Sequence, residues 1–282
     1  MPSSPAHRAL FVSLINDAAL FPPAALPMTD ALQRHAAHRA GRDADLIGPF
    51  LVGVPTVADL LSALDAGSPA PPGIGLVARP GTPVEETKGA IRTLRADPRV
   101  RLVSLDAGWY PGWRELDPGE LPVHLEVGRE DREAALDDIA TAHDIADVRA
   151  KFRTGATASW AWPDADELAD VLLGTARRYL PFVLTGGLHH AVRGEHVVEG
   201  TSEPQHGLLN VLVAVHATAG GADVRAVRDL LEIREAEALA GVVALWSSPD
   251  VAAVRAAFAG YGCCDVTDPI GELTDLGLLA GG

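Results

Sequence analysis

Short apolar runs alternate along the chain with longer segments in which apolar residues recur at helical spacing. The short runs are bounded by turn-forming residues, which is typical of strands buried in a parallel sheet. The longer segments carry apolar residues three or four positions apart, which is typical of amphipathic helices. The runs recur every ~20–35 residues, and this βαβ rhythm predicts an α/β protein with a parallel sheet.

Seven of the apolar runs are predicted to be strands of this sheet. They are residues 9–15, 50–54, 74–78, 100–105, 123–127, 148–152 and 182–185. An eighth strand is expected near the C-terminus, either at residues 242–246 or around residues 261–266. Eight strands alternating with helices predict a closed (β/α)8 TIM barrel. We interpret residues 1–282 as a single barrel domain, because no linker divides the chain.

Apolar residues at helical spacing predict helices in the segments between and after these strands. The expected helices are residues 28–40, 56–66, 84–95, 130–143, 164–179, 206–219, 223–240 and 250–259. Thr29 and Thr56 are plausible N-caps for two of them. The last three helices are more than one barrel repeat requires, so the sequence predicts extra C-terminal helices.

The formal net charge of −15 limits the classes of partner. Binding to nucleic acid or to an anionic membrane surface needs clustered Lys and Arg, so neither is expected as a partner. A small anionic substrate would have to be held locally, by a few cations and oriented N–H groups. Homo-oligomerisation stays open.

The two cysteines, Cys263 and Cys264, are adjacent. Neighbouring cysteines form only a strained ring, so neither a structural disulfide nor a cysteine zinc site is expected. No charged-then-apolar leader opens the chain, and no apolar run approaches the ~20 residues that span a bilayer. These features predict a cytoplasmic location.

Lys151 and Arg153 stand at the end of the sixth predicted strand, and Lys151 is one of only two lysines. Their period-two spacing puts both side chains on the same side of the strand. One hypothesis is that desolvation and Arg153 lower the pKa of Lys151, which leaves an amine that attacks a carbonyl. The other is that Lys151 and Arg153 bind a carboxylate or phosphate without a covalent step. Arg149 is on the same face, so either it lies at the opposite mouth of the barrel or the strand starts later than residue 148.

The stretch of residues 181–210 carries the densest group of candidate ligands. The strand that opens it ends in Thr185, followed by a glycine pair whose N–H groups can approach a ligand closely. The candidate substrate-binding residues after the strand are Gly186, Gly187, His189, His190, Arg193, His206 and Asn210. His206 and Asn210 lie four apart on a predicted helix, so they either bind substrate or fix the preceding loop.

The same histidines suggest a different class of site. His189, His190 and His206, with Asp106 or Glu126 from neighbouring strand ends, would form a metal centre for a hydrolase or lyase. No helical His-x-x-x-His pair is present, so we expect no metal and no cofactor.

Several segments resemble deoxyribose-phosphate aldolases. Ile15 to Pro23, reading INDAALFPP, is similar to the Ile-Asp-His-Thr-Leu-Leu-Lys-Pro opening motif of that family. Lys151-x-x-Thr154-Gly155 is similar to its Schiff-base strand, Gly186-Gly187-Leu188 to its strand-seven glycine pair, and Gly262-Cys263-Cys264 lies where the family carries its phosphate loop. The chain also resembles a set of bacterial proteins that share the NDAALFPPA, KFRTG, GLHH and HG-x-L-N segments.

The aldolase resemblance implies a role for each matched residue. It implies Lys151 as the covalent lysine, Asp106 as a proton-relay carboxylate and Asp17 as a hydrogen-bonding partner. It also implies a phosphate held by the N–H groups of Gly186 and Gly187.

Three positions depart from the aldolase pattern. The family's second lysine is Val183 here, its opening His-Thr is Ala18-Ala19, and its cation after strand seven is His189. Arg153 is the residue we expect to replace the missing lysine, and Thr154 is expected to contact substrate.

Together these observations predict a Schiff-base lyase acting on a small oxo-acid or phosphorylated carbonyl compound. The alternatives are the metal-dependent hydrolase or lyase and a non-catalytic barrel that binds a small anion.

Overall fold

The computed structural model of the chain describes residues 5–64, 71–157, 160–198 and 200–280. Eight parallel strands close into a barrel and alternate with helices, which confirms the predicted (β/α)8 TIM barrel. The barrel strands are β1 (Ile15–Asp17), β2 (Ile47–Gly53), β3 (Gly73–Ala78), β4 (Arg101–Gly108), β5 (Val123–Glu126), β6 (Val148–Arg153), β7 (Phe182–Thr185) and β10 (Phe258–Cys263). Around the barrel they follow the order β1-β10-β7-β6-β5-β4-β3-β2.

Helices connect these strands, and further ones precede the last strand. They are α1 (Pro5–Phe11), α2 (Met28–Ala40), α3 (Val57–Ala63), α4 (Val84–Ala96), α5 (Arg132–His143), α6 (Ala165–Ala176), α7 (Leu208–Ala219), α8 (Val224–Leu231), α9 (Ala236–Val243), α10 (Ser248–Ala257) and α11 (Thr267–Asp275). Short 3-10 turns lie at Val54–Thr56 and Trp113–Leu116. The extra C-terminal helices are therefore present.

The start of the chain differs from the prediction. Most of residues 9–15, predicted as the first strand, lie in α1 and the turn after it, and β1 begins only at Ile15. Leu10, Phe11 and Leu14 are fully buried, so the run is apolar because it lies against the core. A short apolar run fits a buried helix as well as a strand, and periodicity alone does not separate them.

The C-terminal part settles the choice between the two candidates for the eighth strand. Strand β10 is Phe258–Cys263, close to the candidate around residues 261–266. Residues 242–246 instead end α9 and form the turn after it. The helix predicted over residues 223–240 is interrupted between Leu231 and Ala236 and forms α8 and α9.

A hairpin that the sequence analysis did not anticipate follows β7. Strands β8 (Gly194–Val198) and β9 (Thr201–Gln205) pair with each other in antiparallel orientation, apart from the barrel. The capping prediction at Thr29 was also wrong, because α2 begins after Pro27 with no side-chain hydrogen bond at its N-cap.

Large aromatic side chains fill the core between the strands and the outer helices. Phe50, Phe182, Phe258 and Tyr261 are almost completely buried, and the Phe182 and Phe258 rings stack with centroids 5.2 Å apart. Burying one such side chain contributes roughly 1.5–3 kcal/mol. The packing fixes the register of β7 against β10 and β6, which sets the height of the residues at the ends of these strands.

Within the described residues, no single helix combines the length and the apolar composition needed to cross a bilayer. Helices α9 and α10 pass that test only as a pair, and the chain bends by 110° between them.

Candidate active site

The centre of the candidate site is an ion pair between Lys151 and Asp106. Lys151 Nζ, on β6, donates a hydrogen bond to Asp106 Oδ2, on β4, at 2.8 Å. Each residue is only 4% exposed. Side chains from alternate strands meet in layers inside a (β/α)8 barrel, so a contact between β4 and β6 across β5 places the pair in the barrel interior.

His124 completes a chain of three polar groups. Its Nδ1 lies 2.8 Å from the other Asp106 oxygen, Oδ1, and the β4–β5 register sets the two residues side by side. Its Nε2 is buried and makes no hydrogen bond with any described residue. His124 was not among the predicted site residues, although it stands two residues before Glu126 and therefore on the same side of β5.

Glu126 links Lys151 to Arg153. Its Oε1 accepts a hydrogen bond from Arg153 Nε at 3.1 Å, and its Oε2 lies 3.7 Å from Lys151 Nζ. Register explains this arrangement, because Glu126 is the β5 neighbour of Lys151. The Arg153 side chain is 28% exposed and the Lys151 side chain 5%, so a ligand entering from solvent meets Arg153 first.

The charges in this cluster correct the expectation that Lys151 has a lowered pKa. Burial acts to lower the pKa of Lys151, but Asp106 and Glu126 outweigh it and raise that pKa above its ordinary value. Burial acts to raise the pKa of Asp106, but Lys151 and His124 outweigh burial and hold that pKa well below its usual range. Arg153 does lower the Lys151 pKa, but more weakly than the carboxylates raise it. The resting lysine is therefore an ammonium ion.

Strand β7 and the glycine pair lie next to the cluster. Thr154 N donates to the Thr185 carbonyl at 2.9 Å, and Thr154 Oγ1 donates to the Gly186 carbonyl. Gly186 and Gly187 have φ angles of 68° and 72°, a region that L side chains rarely adopt. Thr154, Thr185 and the glycine pair thus form one connected turn beside Arg153.

Asp17 lies at the end of β1 and is held by groups other than the Lys151 cluster. Its Oδ2 lies 3.0 Å from His35 Nδ1, on α2, and its Oδ1 accepts a hydrogen bond from Ala19 N at 3.1 Å. No hydrogen bond or ion pair joins Asp17 to Lys151 or Asp106 in the described part of the chain. Its catalytic role stays a prediction.

The histidines after β7 contact different parts of the protein. His189 Nδ1 lies 3.5 Å from Cys264 Sγ and 3.7 Å from Cys263 Sγ, and burial lowers the pKa of His189 to about 4. His190 Nδ1 lies 2.7 Å from Glu272 Oε1, and its ring stacks on that of His196 with centroids 3.4 Å apart. Nowhere in the described ranges do three His, Cys, Asp or Glu side chains form a group that could hold a metal ion.

Arg193, His206 and Asn210 form a second network around the same loop. Arg193 Nη1 donates to His206 Nδ1 at 2.9 Å, and Arg193 N donates to Asn210 Oδ1 at 2.9 Å. Asn210 Nδ2 donates to the carbonyls of Leu230 and Ile233 at 3.0 and 2.8 Å. His206 and Asn210 are fully buried. Of their two predicted roles, this geometry fits the fixing of the loop that precedes them better than the binding of substrate.

Comparison with known proteins adds no relative. No protein-family model matches the chain, and no significant match was found among curated proteins or solved structures. Function therefore has to be argued from the geometry of the Lys151 cluster.

Proposed function

We propose that the protein is a Schiff-base lyase that acts on a small oxo-acid or phosphorylated carbonyl compound. The observation that carries this proposal is a buried amine, Lys151 Nζ, 2.8 Å from a buried carboxylate inside a closed barrel. A lysine is a useful covalent catalyst only if a nearby group takes its proton, and Asp106 is within hydrogen-bond reach. The resemblance to deoxyribose-phosphate aldolases supports the same roles.

Proton transfer precedes the covalent step, because the resting lysine carries a charge. Asp106 accepts a proton from Lys151, and the neutral Nζ attacks the carbonyl carbon and forms a C–N bond. Asp106 returns that proton to the carbonyl oxygen and then carries a second proton from the attached nitrogen to the resulting hydroxyl, which leaves as water as the imine forms; the imine is protonated when the other nitrogen proton stays in place. The protonated imine then accepts the electron pair of the breaking C–C bond, while the hydroxyl on the departing carbon gives its proton to Asp106 and becomes a carbonyl. His124 holds Asp106 in place through Oδ1 during these transfers.

The anionic group of the substrate is assigned to Arg153. This guanidinium is the more exposed cation of the cluster, and its Nε donates a hydrogen bond to Glu126. A substrate carboxylate or phosphate competes with Glu126 for Arg153, since guanidinium groups bind such anions in bidentate geometry. The turn formed by Thr154, Thr185, Gly186 and Gly187 lies beside it and offers further polar groups.

Borohydride trapping tests the covalent step. The sequence has only two lysines, so Lys88→Arg leaves Lys151 as the one side-chain amine, and Lys151→Arg leaves only Lys88. Lys88 pairs with Glu85 on α4, away from the cluster. With a panel of oxo-acids and phosphorylated aldehydes, we expect a reduced adduct in the wild type and in Lys88→Arg, and none in Lys151→Arg. An adduct that survives Lys151→Arg, or none in any protein, contradicts the proposal.

The non-catalytic anion-binding barrel is the second candidate. The observation in its favour is that Lys151 is fully ion-paired and its pKa is raised, which suits a binding cation. This candidate predicts that a carbonyl compound carrying an anionic group binds without an adduct. Calorimetry with the same panel separates the two, because binding that depends on Arg153 without trapping favours the binding role.

A further inference from the structure

A cavity of about 350 Å³ lies at the N-terminal end of the barrel, where β6, β7 and β10 begin. Its lining includes His143, Asp147, Arg149 and Arg255. Arg149 and Arg153 stand four residues apart on β6, which corresponds to roughly 13 Å along a strand. The cavity is therefore separate from the Lys151 cluster. Because β6 begins at Val148, the first of the two alternatives for Arg149 holds, and this residue lies at the opposite mouth.

Arg255 brings a positive charge to this cavity without a carboxylate to balance it. Its guanidinium donates hydrogen bonds to the carbonyls of Val12, Phe258 and Ala259, at 2.9 to 3.3 Å. In the ranges that the structure describes, no Asp or Glu side chain forms an ion pair with it. Burial and the charge of Arg149 lower the pKa of Arg255 to about 10, so the group stays protonated at neutral pH.

Arg149 supplies a second guanidinium to the same cavity. It pairs with both oxygens of Asp147, at 2.7 and 2.8 Å. The cavity therefore contains two guanidinium groups and one carboxylate, a local positive balance in a chain whose formal net charge is −15. Neighbouring like charges cost free energy unless an anion lies between them.

We propose that this cavity binds a small dianion, of the phosphate monoester or dicarboxylate class, between Arg149 and Arg255. A volume of about 350 Å³ is within the size range of small-molecule sites. Arginine pairs bind phosphate and carboxylate groups in fixed, directional geometry. His143 also lines the cavity, and its Nδ1 lies 2.9 Å from the Val148 carbonyl, which fixes its ring at the edge of the site. The inference does not depend on the reaction proposed for Lys151.

Inorganic phosphate is the probe for a calorimetric titration of the full chain in phosphate-free buffer at neutral pH. We expect Arg149→Gln to weaken phosphate binding about tenfold, the loss of one charged hydrogen-bonding partner. Asp147→Asn removes a competing carboxylate, so we expect it to tighten binding several-fold. A gain in affinity cannot come from damage to the fold. Asp147→Asn is therefore a sharper test than a substitution of Arg255, which would also remove three hydrogen bonds to backbone carbonyls.

Arg42→Gln, which removes an exposed guanidinium paired with Asp43, is the control and should leave phosphate affinity unchanged. Arg153→Gln reports separately on phosphate bound at the other end of the barrel, where Arg153 is assigned the substrate anion. The proposal is overturned if Arg153→Gln abolishes binding while Arg149→Gln does not, or if neither Arg149→Gln nor Asp147→Asn changes the affinity. It is also overturned if phosphate does not bind the wild type or Asp147→Asn up to roughly 10 mM.

Discussion

Lys151 and Asp106 form a hydrogen-bonded ion pair of 2.8 Å inside the barrel, although 45 positions separate them in the sequence. The pair holds the amine in its charged form, since Asp106 and Glu126 together outweigh the burial that would discharge it. Any covalent chemistry at Lys151 therefore depends on moving one proton over a single hydrogen bond.

Asp106→Asn should lower the pKa of Lys151. The substitution keeps the size of the side chain but removes the nearest carboxylate, which leaves Glu126 at 3.7 Å as the remaining anionic partner. Burial acts to lower the Lys151 pKa, and without Asp106 only Glu126 remains to raise it, so the pKa should fall. Because the chain has two lysines, the 13Cε signals are few enough to titrate by NMR, and Lys88→Arg assigns them. The control is Asp166→Asn, which removes an exposed carboxylate that lies 3.8 Å from Arg228. An unchanged Lys151 titration in Asp106→Asn would show that the ion pair does not control the amine.

Arg153→Gln should move the Lys151 pKa in the opposite direction. Arg153 acts to lower that pKa and also engages Glu126. Its removal takes away a like charge and releases the Glu126 carboxylate towards Lys151, so the pKa should rise further. The same NMR titration measures it, with Glu126→Gln as the companion that should lower the value. If Arg153→Gln lowered the Lys151 pKa, the assignment of Glu126 as a shared partner would be wrong.

The features of the fold that the sequence revealed are those set by local pattern. The predicted bounds of β7 and α2 agree with the structure because each is a single buried strand or amphipathic helix between clear turns. The placement of Lys151 and Arg153 on one side of β6 is also local, since it needs only the period of a strand. The start of the chain was misread because a buried helix and a buried strand share the same short apolar run.

The sign of the Lys151 pKa depends on features that one strand cannot reveal. Glu126 lies beside Lys151, and His124 beside Asp106, because of the register between β4, β5 and β6. Register between neighbouring strands is set by packing across the whole barrel, so it cannot be derived from the residues of one strand. Along the chain, the cation Arg153 stands close to Lys151, whereas the carboxylates Asp106 and Glu126 that raise the Lys151 pKa come from other strands.

Acid should destabilise the fold through His206. Its Nε2 lies 2.9 Å from the Pro163 carbonyl, and its Nδ1 accepts a hydrogen bond from Arg193, so the ring is neutral with the proton on Nε2. Burial lowers the pKa of His206 to about 4, whereas an unfolded histidine titrates near its ordinary value of 6.5. Between these values the unfolded state binds more protons, so the free energy of unfolding falls as pH falls through that window. A shift of this size corresponds to on the order of 3 kcal/mol for the group.

Urea unfolding at pH 7.5 and pH 4.5 measures this effect, and His206→Gln is the matched variant. An amide can donate to the Pro163 carbonyl and accept from Arg193 but does not titrate, so the difference in stability between the two pH values should shrink. The difference should not vanish, because burial also lowers the pKa of His189 to about 4. A His206→Gln protein with the same pH dependence as the wild type would contradict the assignment.

Gly187→Ala should destabilise the protein more than Gly221→Ala, although both glycines have positive φ, 72° and 82°. Forcing alanine into that region costs roughly 1–2 kcal/mol at either position. Only at Gly187 does the added Cβ also meet other atoms, because it overlaps the Trp162 ring and lies 2.8 Å from Gly155 Cα, whereas at Gly221 nothing lies within 4 Å. Overpacking of this kind adds about 1–3 kcal/mol, and the Gly155 backbone cannot move aside as a side chain can. Urea unfolding gives the free energy of unfolding of each variant. Because the backbone strain is common to both, the difference between the two losses of stability measures the cost of the close approach between the ends of β6 and β7. Equal losses of stability would mean that these strand ends can separate easily, and the turn beside Arg153 would then be too loose to hold a substrate anion in a fixed position.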